Sequence, residues 1–174
     1  MAYNAKAVAN FILDLANVDG EPISPMKLQK LIYYAHGWHL ALTGEPLISD
    51  EIEAWGYGPV VPSVYRDFKS FGNEPITNPA QDFSWDDKRI IVSTPEIPSG
   101  EMHSSARQII KRVWEVYKDL SALQLSKMTH DPDAPWSQVV APYGGKTPIS
   151  LEIPNELIRK YFVQMGKTTG DNQP

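Results

Sequence analysis

Apolar side chains recur along the chain at the spacing of an α-helix in several stretches, separated by segments rich in Pro, Gly, Asn and Asp. The pattern predicts helices over residues 5–16, 25–43, 60–71, 106–120, 121–130 and 155–165. Runs of β-branched and aromatic residues predict short strands at 52–55 and 89–93. The segments 73–88 and 131–148 are predicted to be irregular.

The second predicted helix has the clearest boundary signals. Ser24 suits the N-cap, Pro25 suits the first helical position, and Gly44 stands just past the end. Apolar side chains surround this helix on nearly all sides, which is typical of a helix at the centre of a fold. We therefore expect five of its residues to be almost fully buried, namely Leu31, Ile32, Ala35, Trp38 and Leu42.

The predicted strands are too short to form a core of their own. Two or three short strands cannot make a stable sheet alone, so the expected fold is mainly α (α+β), a compact helical domain with a small two- or three-stranded sheet beside its central helix. Ser121 and Gln124 form a capping-box pattern at the start of the fifth helix, and Gly166 is expected to end the last one. The sequence predicts one domain over residues 1–166 and a disordered tail over 167–174.

Composition narrows the classes of function. The 174-residue chain has no cysteine, so disulfides and thiolate metal ligands are excluded. Its net charge of −5 lacks the basic excess that nucleic-acid binding requires. No apolar run is long enough to cross a bilayer, and residues 1–10 do not resemble a secretory signal. These features predict a soluble, cytoplasmic protein that binds neither nucleic acid nor membrane.

Two histidines are the main candidates for chemistry. His36 and His39 lie three residues apart on the second helix, which resembles half of a metal site. Helical zinc pairs usually stand four residues apart with a glutamate between them, whereas Gly37 and Trp38 lie between these two. We favour packed histidines beside an aromatic residue. No catalytic, cofactor-binding or metal-binding residue is predicted, and the protein is not expected to be an enzyme.

Two lysines occupy an unusual place at the start of the second helix. Lys27 and Lys30 lie in its first turns, where a cation opposes the helix dipole. One interpretation pairs them with a nearby acid such as Glu21 or Glu45. The other interpretation makes them contacts for an anion or an acidic partner.

Aromatic residues are dense around the loop that follows the first strand. Trp55, Tyr57, Tyr65 and Phe68 stand close together in sequence, with Arg66 among them. Trp, Tyr and Arg are the side chains that anchor protein interfaces, although packing within the core is the alternative explanation. The predicted partner-binding residues are Trp55, Tyr57, Tyr65, Arg66, Lys27 and Lys30.

Four blocks of the sequence, taken together, resemble a known family. They are the run Lys27–Trp38; Pro46-Leu47 with Glu53–Trp55, Tyr57–Pro62 and Tyr65; Leu125 to His130 with Pro135-Trp136; and Ile153-Pro154. In this order they resemble the Panacea domain, the family of SocA-like and GepA-like phage-associated proteins. The resemblance spans nearly the whole chain, and the first two blocks are the specific ones.

This resemblance implies an antitoxin that neutralises a protein toxin by direct binding. Toxins of such pairs include many that block translation, and the acidity of this chain favours a basic toxin. Some family members instead deliver the toxin to a protease, so a proteolytic adaptor is one alternative. A small enzyme using His36, His39 or His130 is the alternative from another class. The family supplies no catalytic residue or cofactor to carry over, and the oligomeric state is left open.

Overall fold

The computed structural model describes residues 1–168, and within them the chain is mainly α with two small antiparallel sheets. The elements are α1 (Ala5–Asp19), α2 (Pro25–Thr43), β1 (Glu53–Trp55), β2 (Gly58–Val60), α3 (Pro62–Phe68), β3 (Asp82–Asp86), β4 (Arg89–Ser93), α4 (Glu101–Tyr117), α5 (Ala122–Met128), α6 (Pro135–Val140) and α7 (Asn155–Thr168). Strand β1 pairs with β2, and β3 pairs with β4. The fold class predicted from the sequence is confirmed.

Helix α2 lies at the centre of the domain, as predicted, and packs against α1, α4, α5 and α7. Its boundaries are the predicted ones: the Ser24 side chain accepts a hydrogen bond from the Lys27 amide, and Gly44 ends the helix with a φ of 78°. Leu31, Ile32, Ala35 and Trp38 are buried. The prediction for Leu42 was wrong, because the burial of α2 ends near Leu40 and its last turn emerges into solvent, leaving Leu42 47% exposed.

Close packing between α2 and α7 depends on one glycine. A Cβ added at Gly37 would lie 2.3 Å from Cε2 of Phe162, a residue of α7 that is fully buried. The Phe162 ring also makes edge contacts with Tyr33 and Trp38, at centroid distances of 5.6 and 5.4 Å. Gly37 therefore makes room for the aromatic cluster that joins the two helices.

Several predicted boundaries were wrong. The segment predicted as a loop before β4 contains β3, which pairs with β4 over five residues. Helix α6 occupies part of the second predicted loop and begins with Pro135 at its first turn. Helix α7 continues through Gly166 to Thr168, because a glycine ends a helix only where the backbone turns left-handed, and Gly166 does not. The predicted tail thus begins inside α7, and its residues 169–174 lie outside the described part of the chain.

The capping box at the start of α5 is confirmed, since Ser121 and Gln124 exchange side-chain and backbone hydrogen bonds. Among the helices of residues 1–168, none has the length and apolar character needed to cross a membrane.

Candidate functional site

A groove of about 690 Å³ lies between the first turns of α2, the β1–β2 connection, α3 and the start of α5. Its lining is mostly apolar and comprises Ser24, Pro25, Met26, Gln29, Lys30, Trp55, Gly56, Tyr57, Val60, Tyr65, Lys69, Gly72, Asn73, Ala122 and Leu123. Two of these residues are lysines and none is acidic. The groove can therefore receive apolar side chains, and its charged groups are cationic.

One wall of the groove is the tight turn that connects β1 to β2, which we call the 55–59 turn. Trp55 pairs with Gly58, so only Gly56 and Tyr57 lie between the strands. Gly58 has a φ of +104°, a conformation that side chains rarely adopt. The Tyr57 side chain is 72% exposed at the tip of the turn, so an aromatic ring is presented to solvent on a short connection.

Side chains from distant parts of the chain hold the backbone carbonyls of this turn. We call these four residues the carbonyl cradle: Lys30 Nζ donates to Pro59 O (3.0 Å), Ser126 Oγ donates to Tyr57 O (2.7 Å), Trp136 Nε1 donates to Trp55 O (2.7 Å), and His130 Nε2 lies 3.4 Å from Gly56 O. Hydrogen bonds to successive carbonyls remove freedom from the main chain while leaving the Tyr57 side chain untouched. The turn is thus a fixed platform for an exposed ring.

Lys30 is the most deeply buried member of the cradle, with 1% of its surface exposed. Burial lowers the pKa of its ammonium to about 7, because the charged form loses its hydration. A Cβ at Gly58 would lie 3.1 Å from Lys30 Nζ and 2.5 Å from Thr129 Oγ1. Gly58 is therefore needed both for its conformation and for the space that the lysine and threonine occupy.

The position of Lys27 has a structural explanation. Its Nζ donates a hydrogen bond to the carbonyl of Lys118, the residue that caps the end of α4. A cation is favourable at a helix C-terminus, so the charge that opposes the dipole of α2 complements that of α4. Burial lowers the pKa of Lys27, and the nearby charges of Glu21 and Asp119 oppose that shift.

Of the predicted partner-binding residues, the structure brings Lys30, Trp55, Tyr57 and Tyr65 together in the groove. The Trp55 and Tyr65 rings meet edge to face at a centroid distance of 4.8 Å, and Tyr65 is 38% exposed. Arg66 is exposed on α3 but does not line the groove, and neither does Lys27.

The two histidines of α2 form hydrogen bonds that join α2 to other segments. His36 is fully buried; its Nε2 lies 2.7 Å from Oδ1 of Asn155, and its Nδ1 accepts from the Ile48 amide at 3.4 Å. This pair of contacts fits the neutral ring, and burial lowers the pKa of His36 to about 4. His39 Nδ1 lies 2.7 Å from the Glu45 carbonyl. Across residues 1–168, no group of three or more His, Asp or Glu side chains is placed to hold a metal ion.

Sequence reasoning did not connect Ser126, His130 and Trp136 with the 55–59 turn, although they hold its carbonyls; His130 was considered only as a residue of the alternative enzyme. All three lie in the third block of the family resemblance, which is one of the two less specific blocks. Their contacts span 69 to 81 residues of sequence, so no local pattern could have connected them to Tyr57.

Most of α2, the 55–59 turn and the carbonyl cradle lie within a segment that matches a family model. Residues 28–137 match the family described as Antitoxin SocA-like, Panacea domain. The chain belongs to this family, and the membership supports an antitoxin role. The matched segment contains the whole 55–59 turn and all four cradle residues.

The chain is also similar to a curated relative, Antitoxin SocA of Caulobacter vibrioides (strain NA1000 / CB15N). The two sequences are 37% identical over 160 residues, which cover 91% of this chain and 82% of the relative. No solved structure matches the chain.

Proposed function

We propose that this protein is an antitoxin that neutralises its toxin by direct binding, with the groove and the 55–59 turn as the contact surface. Family membership supports the antitoxin role. The observation that carries the choice of surface is Tyr57, whose ring is 72% exposed on a turn held at its carbonyls by buried or partly buried side chains.

The fixed backbone favours binding because little freedom remains to be lost. Association costs free energy for each loop and side chain that it orders. A tyrosine has few rotatable bonds and a large amphipathic ring, and tyrosine is common among residues that dominate interface energy. Tyr57 on its platform, with the Trp55 and Tyr65 pair beside it, has the character of such an anchor.

Charge acts at two ranges. The net charge of −5 attracts a basic toxin over long distances and raises the rate at which the two proteins meet. Within the groove, Lys69 is the exposed cation, whereas Lys30 is buried and its pKa is lowered to about 7. The inserted part of the toxin is therefore apolar or acidic. Arg66 on α3 and Lys27 at the start of α2 would contact the toxin outside the groove.

Identifying the neighbouring reading frame and co-expressing its product with this protein tests the proposal. Tyr57→Ala should weaken toxin binding by at least about thirtyfold, the effect of losing an anchor worth roughly 2 kcal/mol, and should abolish growth rescue. Arg66→Ala should weaken binding less. Both variants should melt like the wild type, because each side chain is exposed.

Tyr143→Ala is the matched control, since Tyr143 is 48% exposed and does not line the groove; it should retain binding and rescue. Wild-type binding by Tyr57→Ala would show that the contact surface lies elsewhere. Immunoblots of the toxin separate the two mechanisms: occlusion leaves the toxin level unchanged, whereas delivery to a protease lowers it.

A further inference from the structure

The β3–β4 hairpin carries an apolar face that the rest of the domain leaves uncovered. Opposite residues of an antiparallel pair share one face, so Phe83 with Val92 and Trp85 with Ile90 form a single surface. These side chains are 67%, 50%, 80% and 54% exposed, in that order. Four large apolar groups therefore lie side by side in solvent without a charge among them.

The other face of the hairpin is mostly polar. It carries Asp82, Ser84, Asp86, Arg89 and Ser93, with Ile91 as the apolar exception. The hairpin thus has the alternation of a sheet with one face on a core and one in water. In this molecule, however, the apolar face is exposed.

The hairpin is attached to the domain at its base. Asp82 pairs with Lys6 at 3.1 Å and accepts a hydrogen bond from Asn4 at 3.2 Å, and beyond Asp82 every residue of both strands is exposed. An isolated two-stranded hairpin is marginally stable in water. Covering its apolar face would stabilise it.

We propose that this face is a homodimer surface, on which two copies of the chain pack Phe83, Trp85, Ile90 and Val92 against the same residues of the other copy. A twofold interface requires a patch that matches itself, and an uncharged apolar face meets that condition. Aromatic side chains bury roughly 150–250 Å² each. With Phe83 and Trp85 mostly exposed and Ile90 and Val92 about half exposed, the four residues offer on the order of 500 Å² per chain. The pair would then bury about 1,000 Å², the lower bound for a biological interface.

The proposed dimer surface and the proposed toxin surface share no residue. None of the residues that line the groove belongs to the hairpin. Self-association through the hairpin and toxin binding through the groove are thus separate properties, and each can fail without the other.

Sedimentation velocity over a range of concentrations tests the dimer. The wild type should be dimeric at high concentration, and Trp85→Ser should shift it to monomer. Loss of an aromatic anchor weakens an interface by about thirtyfold, and the twofold axis applies the change twice, so the dissociation constant should rise roughly a thousandfold. Ile91→Ser, on the polar face, is the matched control and should leave the dimer intact.

The absence of cysteine from the chain allows a second measurement. Ile90→Cys should form a disulfide-linked dimer under mild oxidation, whereas Ile91→Cys should not. A wild type that is monomeric at every concentration would overturn the proposal, as would a dimer that Ile91→Ser disrupts and Trp85→Ser does not. A monomeric wild type that loses toxin binding on Trp85→Ser would identify the toxin as the occupant of this face and would also overturn it.

Discussion

Replacing Gly58 with alanine should damage the 55–59 turn through two separate effects. The first is conformational: at a φ of +104° a side chain strains the backbone by about 1–3 kcal/mol. The second is steric: the new Cβ would lie 2.5 Å from Thr129 Oγ1 and 3.1 Å from Lys30 Nζ. Because Lys30 is buried, displacing its amine from the Pro59 carbonyl leaves a polar group without a partner, at a cost of about 1–3 kcal/mol.

The two effects together predict that Gly58→Ala lowers the free energy of unfolding by about 2–6 kcal/mol, measured by urea denaturation. It should also weaken toxin binding, because the platform of Tyr57 moves. Gly56→Ala is the control within the same turn: its Cβ would meet no atom within 4 Å, and its φ is not positive. It should change stability by less than about 1 kcal/mol. Equal stabilities for the two variants would refute the argument that Gly58 is required by both space and conformation.

Two further predictions concern buried polar groups of α2. Between pH 6.5 and 4 the unfolded chain protonates His36 while the folded chain, with its pKa lowered to about 4, does not; stability should therefore fall by up to about 3 kcal/mol as the pH drops through this range. Burial also lowers the pKa of His39, which acts in the same direction. Denaturation of the wild type and of His36→Gln at pH 7 and pH 4.5 should therefore show a smaller loss of stability in the variant. Equal losses would count against the assignment to His36. The Tyr33 hydroxyl is buried without a hydrogen-bond partner among the described residues. Tyr33→Phe should therefore be neutral or stabilising by about 1 kcal/mol in thermal or urea denaturation. A loss of more than about 1 kcal/mol would show that the hydroxyl has a partner.

The sequence predicted elements whose signals are local. Ser24, Pro25 and Gly44 marked both ends of α2, and Ser121 with Gln124 marked the start of α5. Strand β3 was missed although Phe83 and Trp85 alternate with polar residues as in a strand, because the segment around it is rich in Pro, Asn and Asp and was interpreted as a loop. The error at Leu42 has a related cause, since periodicity shows which face of a helix is apolar but not where the neighbouring helices stop covering it.

The candidate site was predicted in part. Tyr57, Trp55 and Tyr65 were identified from aromatic density, and they meet at the groove. Lys27 was expected to pair with a nearby acid or to contact a partner. The carbonyl that it binds, at the end of α4, was not foreseen because it is 91 residues away in sequence. The carbonyl cradle was not predicted for the same reason, because its hydrogen bonds join segments that only the tertiary fold brings together.

The bonds of the cradle also bear on how recognition could change over evolutionary time. They are made to main-chain oxygens, which every amino acid supplies, and the Tyr57 ring projects away from them. Most residues could replace Tyr57 without removing a bond that the turn depends on. Under the proposed function, folding and partner specificity are therefore separate at this position, and a lineage could acquire a new partner there while retaining the same domain.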